Sequence, residues 1–243
     1  MNKFAAIVLS AGAGKRMNSD VPKQYMDLDG KPVIYYSLMA FEKSKVDEIV
    51  FVVAKGDLDY CRKEIVEKYG FKKVTKIVEG GAERYNSVYE GINATEAQYL
   101  LIHDGARPML TEELIERSME CVEKEGACVV AMPVKDTIKV ADAKGFVEST
   151  PERNRLWTIQ TPQSFDAKIL KDAYQVIYAD QKQGKEVPGI TDDAMIVEYA
   201  TRRKVKLVEG SYMNIKVTTP EDLEVAKIFL KKLKLLVDTS MYK

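Results

Sequence analysis

At 243 residues the chain is long enough for one large α/β domain and short for two. Hydrophobic residues make up 46% and charged residues 30%, and Lys+Arg equal Asp+Glu at 37 each. That balance suits a soluble globular protein and argues against a broad nucleic-acid footprint, leaving room for a local basic pocket.

The apolar run Phe4–Leu9 predicts a buried strand. It delivers the chain to Ser10-Ala11-Gly12-Ala13-Gly14-Lys15-Arg16-Met17, and Pro22-Lys23-Gln24-Tyr25 follows. Glycines let backbone N–H groups approach a phosphate, and lysine and arginine supply the opposing charge, an arrangement suited to a nucleoside triphosphate. A dinucleotide fingerprint lacks its third glycine, because Met17 stands there, and a Walker A loop lacks both its first glycine and its Ser or Thr. A helix over Val33–Phe41, a strand over Ile49–Ala54 and a helix over Leu58–Tyr69 come next. The strand Val74–Glu79 runs into Gly80-Gly81, which opens a helix over Glu83–Ala94. Its backbone groups and the Ser87 hydroxyl can read the edge of a base, although a plain strand-to-helix connection fits equally well.

The strand Tyr99–Ile102 leads into His103-Asp104-Gly105-Ala106-Arg107-Pro108. An aspartate there suits Mg²⁺, which takes one or two carboxylates plus phosphate oxygens, and Arg107 can clamp a phosphate bidentately. A turn with an internal salt bridge is the alternative. His103, the single histidine, reads as structural because nothing beside it resembles a nucleophile. A helix over Glu112–Glu125 and a strand over Ala127–Met132 follow. Residues 134–157 then break the pattern: Thr137–Val140 and Phe146–Ser149 flank a turn, a polar hairpin excursion too poor in apolar residues to build its own core. The chain returns through Leu156-Trp157 to helical stretches near Ala167–Tyr178 and Asp192–Ala200, where Asp192 and Asp193 read as a helix start. The last helix opens at Thr219-Pro220-Glu221-Asp222, a capping residue, a first-position proline and early acids.

Strands that are apolar throughout, alternating with helices, predict a parallel sheet covered on both faces. The expected architecture is α/β: a Rossmann-like, three-layer, doubly wound and mostly parallel sheet forming one domain over residues 1–243. Ligands of such folds sit at the carboxyl ends of the strands, where Ser10–Arg16 and His103–Arg107 would face one pocket. No apolar run approaches the ~20 residues that span a bilayer, and the first run is followed rather than preceded by its Lys-Arg pair, against a signal peptide. Cys61, Cys121 and Cys128 lack C-x-x-C spacing, which speaks for a reducing cytoplasm rather than disulfides or zinc.

Taken in order, S-A-G-A-G-K-R-M, P-K-Q-Y, G-G-A-E-R-Y-N-S-V, H-D-G-A-R-P, P-V-K-D-T, R-N-R-L-W-T-I-Q-T-P-Q-S-F, T-D-D-A and N-I-K-V-T-T-P-E-D-L resemble the 2-C-methyl-D-erythritol 4-phosphate cytidylyltransferases over residues 4–230. The resemblance implies transfer of a cytidylyl group from CTP to methylerythritol phosphate with release of pyrophosphate, Mg²⁺ dependence, and a homodimer whose protruding hairpin at 134–157 is the dimerising arm. By position it implies that Ala11, Gly12, Ala13 and Gly14 wrap the nucleotide, with Arg16 and Lys23 on the triphosphate. Gly81 and Ser87 would read cytosine, and Asp104 and Gly105 would meet the ribose and metal. Arg107, Thr161, Thr191 and Lys216 would hold the sugar phosphate, with Thr137 and Arg153 reaching in from the partner. Ser10 stands where many members carry proline, and Ala82 where many carry an acid. A ribitol 5-phosphate cytidylyltransferase shares most of these motifs and is the alternative. A non-catalytic nucleotide-binding regulator is opposed by the joint presence of Arg16, Lys23, Asp104 and Lys216.

Overall fold

The computed structural model describes residues 3–12, 17, 21–187 and 189–240. Strand β1 (Phe4–Ser10) leads to a 3₁₀ turn at Lys23–Tyr25, the short pair β2 (Asp27–Leu28) and β3 (Lys31–Pro32), and helix α1 (Val33–Lys43). Strand β4 (Glu48–Val53) is followed by α2 (Leu58–Tyr60), which continues as a π-helical segment over Cys61–Glu67. Then come β5 (Val74–Glu79), α3 (Arg84–Asn93), β6 (Tyr99–Asp104), α4 (Glu112–Glu125) and β7 (Ala127–Pro133). The hairpin is β8 (Val140–Ala141) with β9 (Val147–Ser149). A long strand β10 (Trp157–Asp166), helices α5 (Ala167–Lys182) and α6 (Asp193–Thr201), the edge strand β11 (Lys206–Glu209) and helix α7 (Pro220–Ser240) complete the order.

The main sheet runs β11-β7-β10-β6-β1-β4-β5. All its strands are parallel except β10, which is antiparallel to both β6 and β7. The buried residues of β1 alternate between two cores, as a strand's period of two demands. Phe4, Ala6 and Val8 pack with Ile34, Leu38 and Phe41 of α1 and with Leu114, Ile115 and Val122 of α4. Ala5 and Ile7 pack with Val88 and Ile92 of α3 and with Leu170, Tyr174 and Ile177 of α5. This is the expected three-layer, doubly wound arrangement. A third cluster, with Leu28, Val33, Met109, Val217, Ala226 and Leu230, seats α7 against β2 and the start of α1.

Local chemistry sets the helix ends. Thr111 accepts a hydrogen bond from Leu114 N at the start of α4, and Gly126, at φ 75°, closes it in the left-handed conformation. Asp166 and Asp192 cap α5 and α6 through their carboxylates. Besides the two-residue strands β2 and β3, two strands of the main sheet are absent from the sequence reading. β10 is rich in Thr and Gln and carries Pro162, and its pairing with β7 slips in register between Ile159 and Gln163. β11 is a four-residue edge strand.

Gly91 marks a close helix-to-sheet approach: a Cβ there would lie 2.4 Å from Ile7 Cγ2 and 3.1 Å from Val52 Cγ2. Alanine is the better helix former by about 1 kcal/mol, but overpacking a filled core costs about 1–3 kcal/mol. Gly91→Ala is therefore expected to lower the midpoint of urea unfolding. An unchanged or higher midpoint would show that α3 can lift off β1 without cost.

Candidate active site

A cleft of about 340 Å³ opens at the carboxyl ends of β1 and β6. Its first wall is the chain leaving β1, where Ala11 and Gly12 line the cavity. Gln24, buried in the 3₁₀ turn, donates through Nε2 to Ser10 O (2.7 Å) and Gly12 O (3.2 Å). It thereby ties the turn that carries Lys23, also on the cleft wall, to the end of β1. Behind the turn, Tyr25 Oη lies 3.3 Å from Asp57 Oδ2 and 3.0 Å from Cys61 Sγ. Burial first, and then these neighbours, raise the Tyr25 pKa and keep it neutral.

The second wall is the turn from β5 into α3. Gly80 N donates to Val53 O (2.8 Å), and a Cβ on Gly80 would sit 2.6 Å from both Ala11 Cβ and Ser87 Oγ. Only glycine lets the two loops close on each other at that point. Ser87 Oγ accepts from Gly81 N (3.1 Å) and lies 3.2 Å from Glu83 O, so the serine shapes the turn as well as lining the cleft.

The floor is Asp104, the last residue of β6. Its Oδ1 meets Arg84 Nε at 3.1 Å and its Oδ2 meets Lys216 Nζ at 2.8 Å. Burial by itself would raise this carboxyl, but Arg84, Lys216 and Arg107 outweigh it and hold Asp104 well below the usual carboxylate range. The Asp104 N–H donates to Thr161 Oγ1 (3.1 Å), which lies 3.0 Å from His103 Nδ1, while His103 Nε2 lies 3.3 Å from Arg107 O. A carbonyl can only accept, so the imidazole proton sits on Nε2, and Nδ1 accepts from the Thr161 hydroxyl. Burial above all, against the pull of Asp104, drops the His103 pKa to about 3. A fully buried, neutral histidine with both nitrogens engaged is structural, as the sequence reading has it.

Arg107 Nη1 donates to Asn214 O (2.8 Å), and buried Asn214 donates to Gln160 Oε1 (3.2 Å) and Thr161 O (2.9 Å). Among the described residues Arg107 Nε has no hydrogen-bond partner. Lys216 is fixed by its neighbours: Val217 N donates to Ala106 O (2.8 Å), and Thr218 N and Thr219 N donate to Asp222 Oδ2 at 2.9 Å each.

The fold thus brings Ala11, Gly12, Lys23, Gly81, Ser87, Asp104 and Lys216 onto one cleft, with Thr161 and Arg107 directly behind Asp104. Gly105 sits beneath the cleft, its N–H on Leu9 O (2.8 Å) and its Cα against Ile34. Thr191 is exposed, its hydroxyl 2.9 Å from Met195 Sδ. Thr137 and Arg153 are exposed on the hairpin arm, where Arg153 Nη1 donates to Lys135 O (3.1 Å). None of these last three lines this chain's own cleft. The candidates Ala13, Gly14 and Arg16, with Lys15, lie outside the described residues. Among the described residues no cluster of three or more His, Cys, Asp or Glu could hold a metal. Both Asp104 oxygens are engaged, Oδ1 by Arg84 and Oδ2 by Lys216, so Mg²⁺ held by this carboxylate together with phosphate oxygens would take the place of one of these cations. Gln24 and Arg84 are cleft residues without a role in the sequence reading; the P-K-Q-Y and G-G-A-E-R segments are where they could have been found.

A Rossmann-like sheet with a glycine-walled cleft, two lysines, an arginine and one aspartate at its strand ends defines a nucleotide-binding α/β protein. Comparison with known proteins narrows the class. A sequence model of the 2-C-methyl-D-erythritol 4-phosphate cytidylyltransferase family (IspD) matches residues 4–232. The enzyme of that name from Lachnospira eligens is 54% identical over 93% of this chain and 98% of that protein. A crystal structure of 4-diphosphocytidyl-2C-methyl-D-erythritol synthase from Anaerococcus prevotii superposes with a TM-score of 0.81 at 35% identity, covering 94% of this chain and 96% of the other. The Thermus thermophilus cytidylyltransferase gives 0.72 at 26%, covering 94% and 99%. The chain belongs to the 2-C-methyl-D-erythritol 4-phosphate cytidylyltransferase family.

Thr161→Val keeps the shape of the threonine but leaves the Asp104 N–H and His103 Nδ1 unpaired in the interior. The expected loss of stability is about 1–3 kcal/mol, read by equilibrium unfolding, with Thr161→Ser close to wild type. Equal stability of the valine variant would show that the Thr161 hydroxyl does not support Asp104.

Proposed function

We propose that this protein transfers a cytidylyl group from CTP to 2-C-methyl-D-erythritol 4-phosphate, giving 4-diphosphocytidyl-2-C-methyl-D-erythritol and pyrophosphate. The observation that carries the reading is the convergence of Gly12, Gly81, Lys23, Asp104 and Lys216 on one cleft in a chain that belongs to this family over nearly its whole length. An oxygen of the acceptor phosphate attacks the α-phosphorus of CTP in line. A P–O bond forms there as the α–β bridge breaks, and the pair of electrons leaves with pyrophosphate. A phosphate monoester is already anionic, so no general base is required, in keeping with a His103 committed to structure. The barrier is the approach of two anions, and the protein's part is positioning and neutralisation by Lys23, Lys216 and Arg16. Ala11 to Gly14 suit the triphosphate, and the turn around Gly81 and Ser87 suits the base. Asp104 and Gly105 suit the ribose side, and Asp104 would hold Mg²⁺ together with phosphate oxygens, where the ion neutralises developing charge.

The acceptor phosphate is assigned to Arg107, Thr161, Thr191 and Lys216, with Thr137 and Arg153 supplied by a second subunit. The unpartnered Nε of Arg107 supports that role. Apolar side chains on the arm support the dimer: Phe146 is 71% exposed and Val147 61%. No helix of the described residues is long and apolar enough to cross a membrane, and Cys61, Cys121 and Cys128 are free thiols. We assign the enzyme to the cytoplasm on that chemistry.

Pyrophosphate release with CTP and methylerythritol 4-phosphate tests the activity. UTP should be poorer, by about 1–3 kcal/mol for each group left unpaired against uracil. Because Ala82 offers no acid, the Gly80 and Gly81 carbonyls must read the amino group, and equal efficiency with both nucleotides would remove that assignment. Ribitol 5-phosphate should also be the weaker acceptor, and parity or better with it would overturn the substrate.

Shared sites make a second test. Arg153→Ala and Lys23→Ala are each expected to be nearly inactive, yet mixing the two variants should restore one working site per heterodimer. No recovery after verified subunit exchange would put Arg153 in its own chain's site or outside any.

A further inference from the structure

Asp193 opens α6 and is fully buried. A carboxylate taken out of water needs both charge and hydrogen bonds around it. Asp193 Oδ1 accepts from Tyr174 Oη (3.2 Å) and Oδ2 from Arg84 Nη2 (2.9 Å). Its own N–H and that of Ala194 donate to Gln163 Oε1 (2.9 and 3.1 Å), and Gln163 Nε2 donates to Asp192 Oδ2 (3.1 Å). Helix α5 therefore holds the carboxylate itself through Tyr174, and strand β10 holds the backbone at the start of α6 that carries it.

Arg84 is the first residue of α3, where a cation works against the helix dipole. Its position is explained by the two carboxylates it joins. One edge of the guanidinium holds buried Asp193 and the other, through Nε, holds Asp104 at 3.1 Å in the cleft. The guanidinium is a rigid planar fork, so fixing one edge fixes the direction of the other. A pair serving stability alone would be complete with Asp193 and would leave Arg84 no reason to reach the cleft floor.

We propose that Asp193 is a positioning residue for the transfer reaction. It orients Arg84, Arg84 orients the Asp104 carboxylate, and that orientation leaves Asp104 Oδ2 to set the place of Lys216 Nζ. Asp193 acts without touching substrate, since it does not line the cleft. The inference rests on the cytidylyl-transfer reading above.

Steady-state kinetics of Asp193→Asn separate the possibilities. The substitution removes a negative charge below the cleft. If Asp193 acted only through the field or through stability, kcat would hold and KM for CTP would stay level or fall. Positioning predicts the opposite split: kcat lower by about 10- to 100-fold, with KM for CTP changed far less. Arg84→Lys is the second variant and the deciding one if Asp193→Asn does not fold. It keeps the charge but cannot fork between two carboxylates, and its kcat should fall likewise with a melting temperature near wild type. The double variant should be no slower than the worse single one, because both break the same linkage. A kcat within twofold of wild type in a folded Arg84→Lys or Asp193→Asn enzyme, or multiplicative losses in the double variant, would overturn the proposal. Failure of the wild-type enzyme to release pyrophosphate from CTP and methylerythritol phosphate would instead overturn the functional reading on which it rests.

Discussion

The site depends on one ionic junction, the Asp104 carboxylate gripped on both oxygens. Withdrawing the Asp104 carboxylate from water is costly and its two cations stay partly exposed, so such a junction is weak evidence for stability. Its value is geometric. Arg84 comes from the start of α3, Lys216 from the segment before α7, and Asp104 from the end of β6. Three of the chain segments that form the cleft are thus registered against one another by a single group. A triphosphate entering this cleft meets cations that already have an anionic partner, so binding exchanges one set of charge contacts for another.

Behind the junction stands β10, the polar antiparallel strand between two hydrophobic ones. Buried Gln160, Thr161 and Gln163 would be liabilities in most sheets. Here Gln160 holds Ser211 O and Asn214, Thr161 links Asp104 to His103, and Gln163 caps the start of α6. The register slip between Ile159 and Gln163 falls across this stretch, and bulges of this kind commonly re-aim side chains beside functional sites. The strand exchanges hydrophobic burial for a hydrogen-bonded support under the cleft floor.

The arm follows a different rule. It holds its own turn through Asp142, which accepts from Lys144 N and Phe146 N at 2.9 Å each, but it leaves its apolar residues in solvent. A two-stranded ribbon cannot bury two faces alone. On the dimer reading a second copy supplies the missing surface, which also explains why Thr137 and Arg153 stand apart from their own chain's cleft.

Much of the architecture was legible along the chain. Continuous apolar runs marked β1, β4, β6 and β7, because strands covered on both faces carry no polar alternation. Aspartate marked the start of α6, and threonine followed by proline the start of α7, because helix ends need local partners for orphan N–H groups. Gly12, Lys23 and Asp104 were legible as phosphate- and metal-handling residues from their chemistry, whereas Gly81 fitted a plain connection equally well and Lys216 entered only through the family resemblance. β10 was not, since Pro162 and its buried glutamines imitate a loop until their partners are known, and β11 was too short to show a period. Nor was Arg84 legible as the bridge between Asp104 and Asp193, or Thr161 as the support of His103. Those pairs lie far apart in sequence, and their meaning is a matter of distance and desolvation. Only the closing of α3, α6 and β10 around the end of β6 brings them within hydrogen-bond reach and out of water, and that is where an ordinary charged residue acquires a specific role.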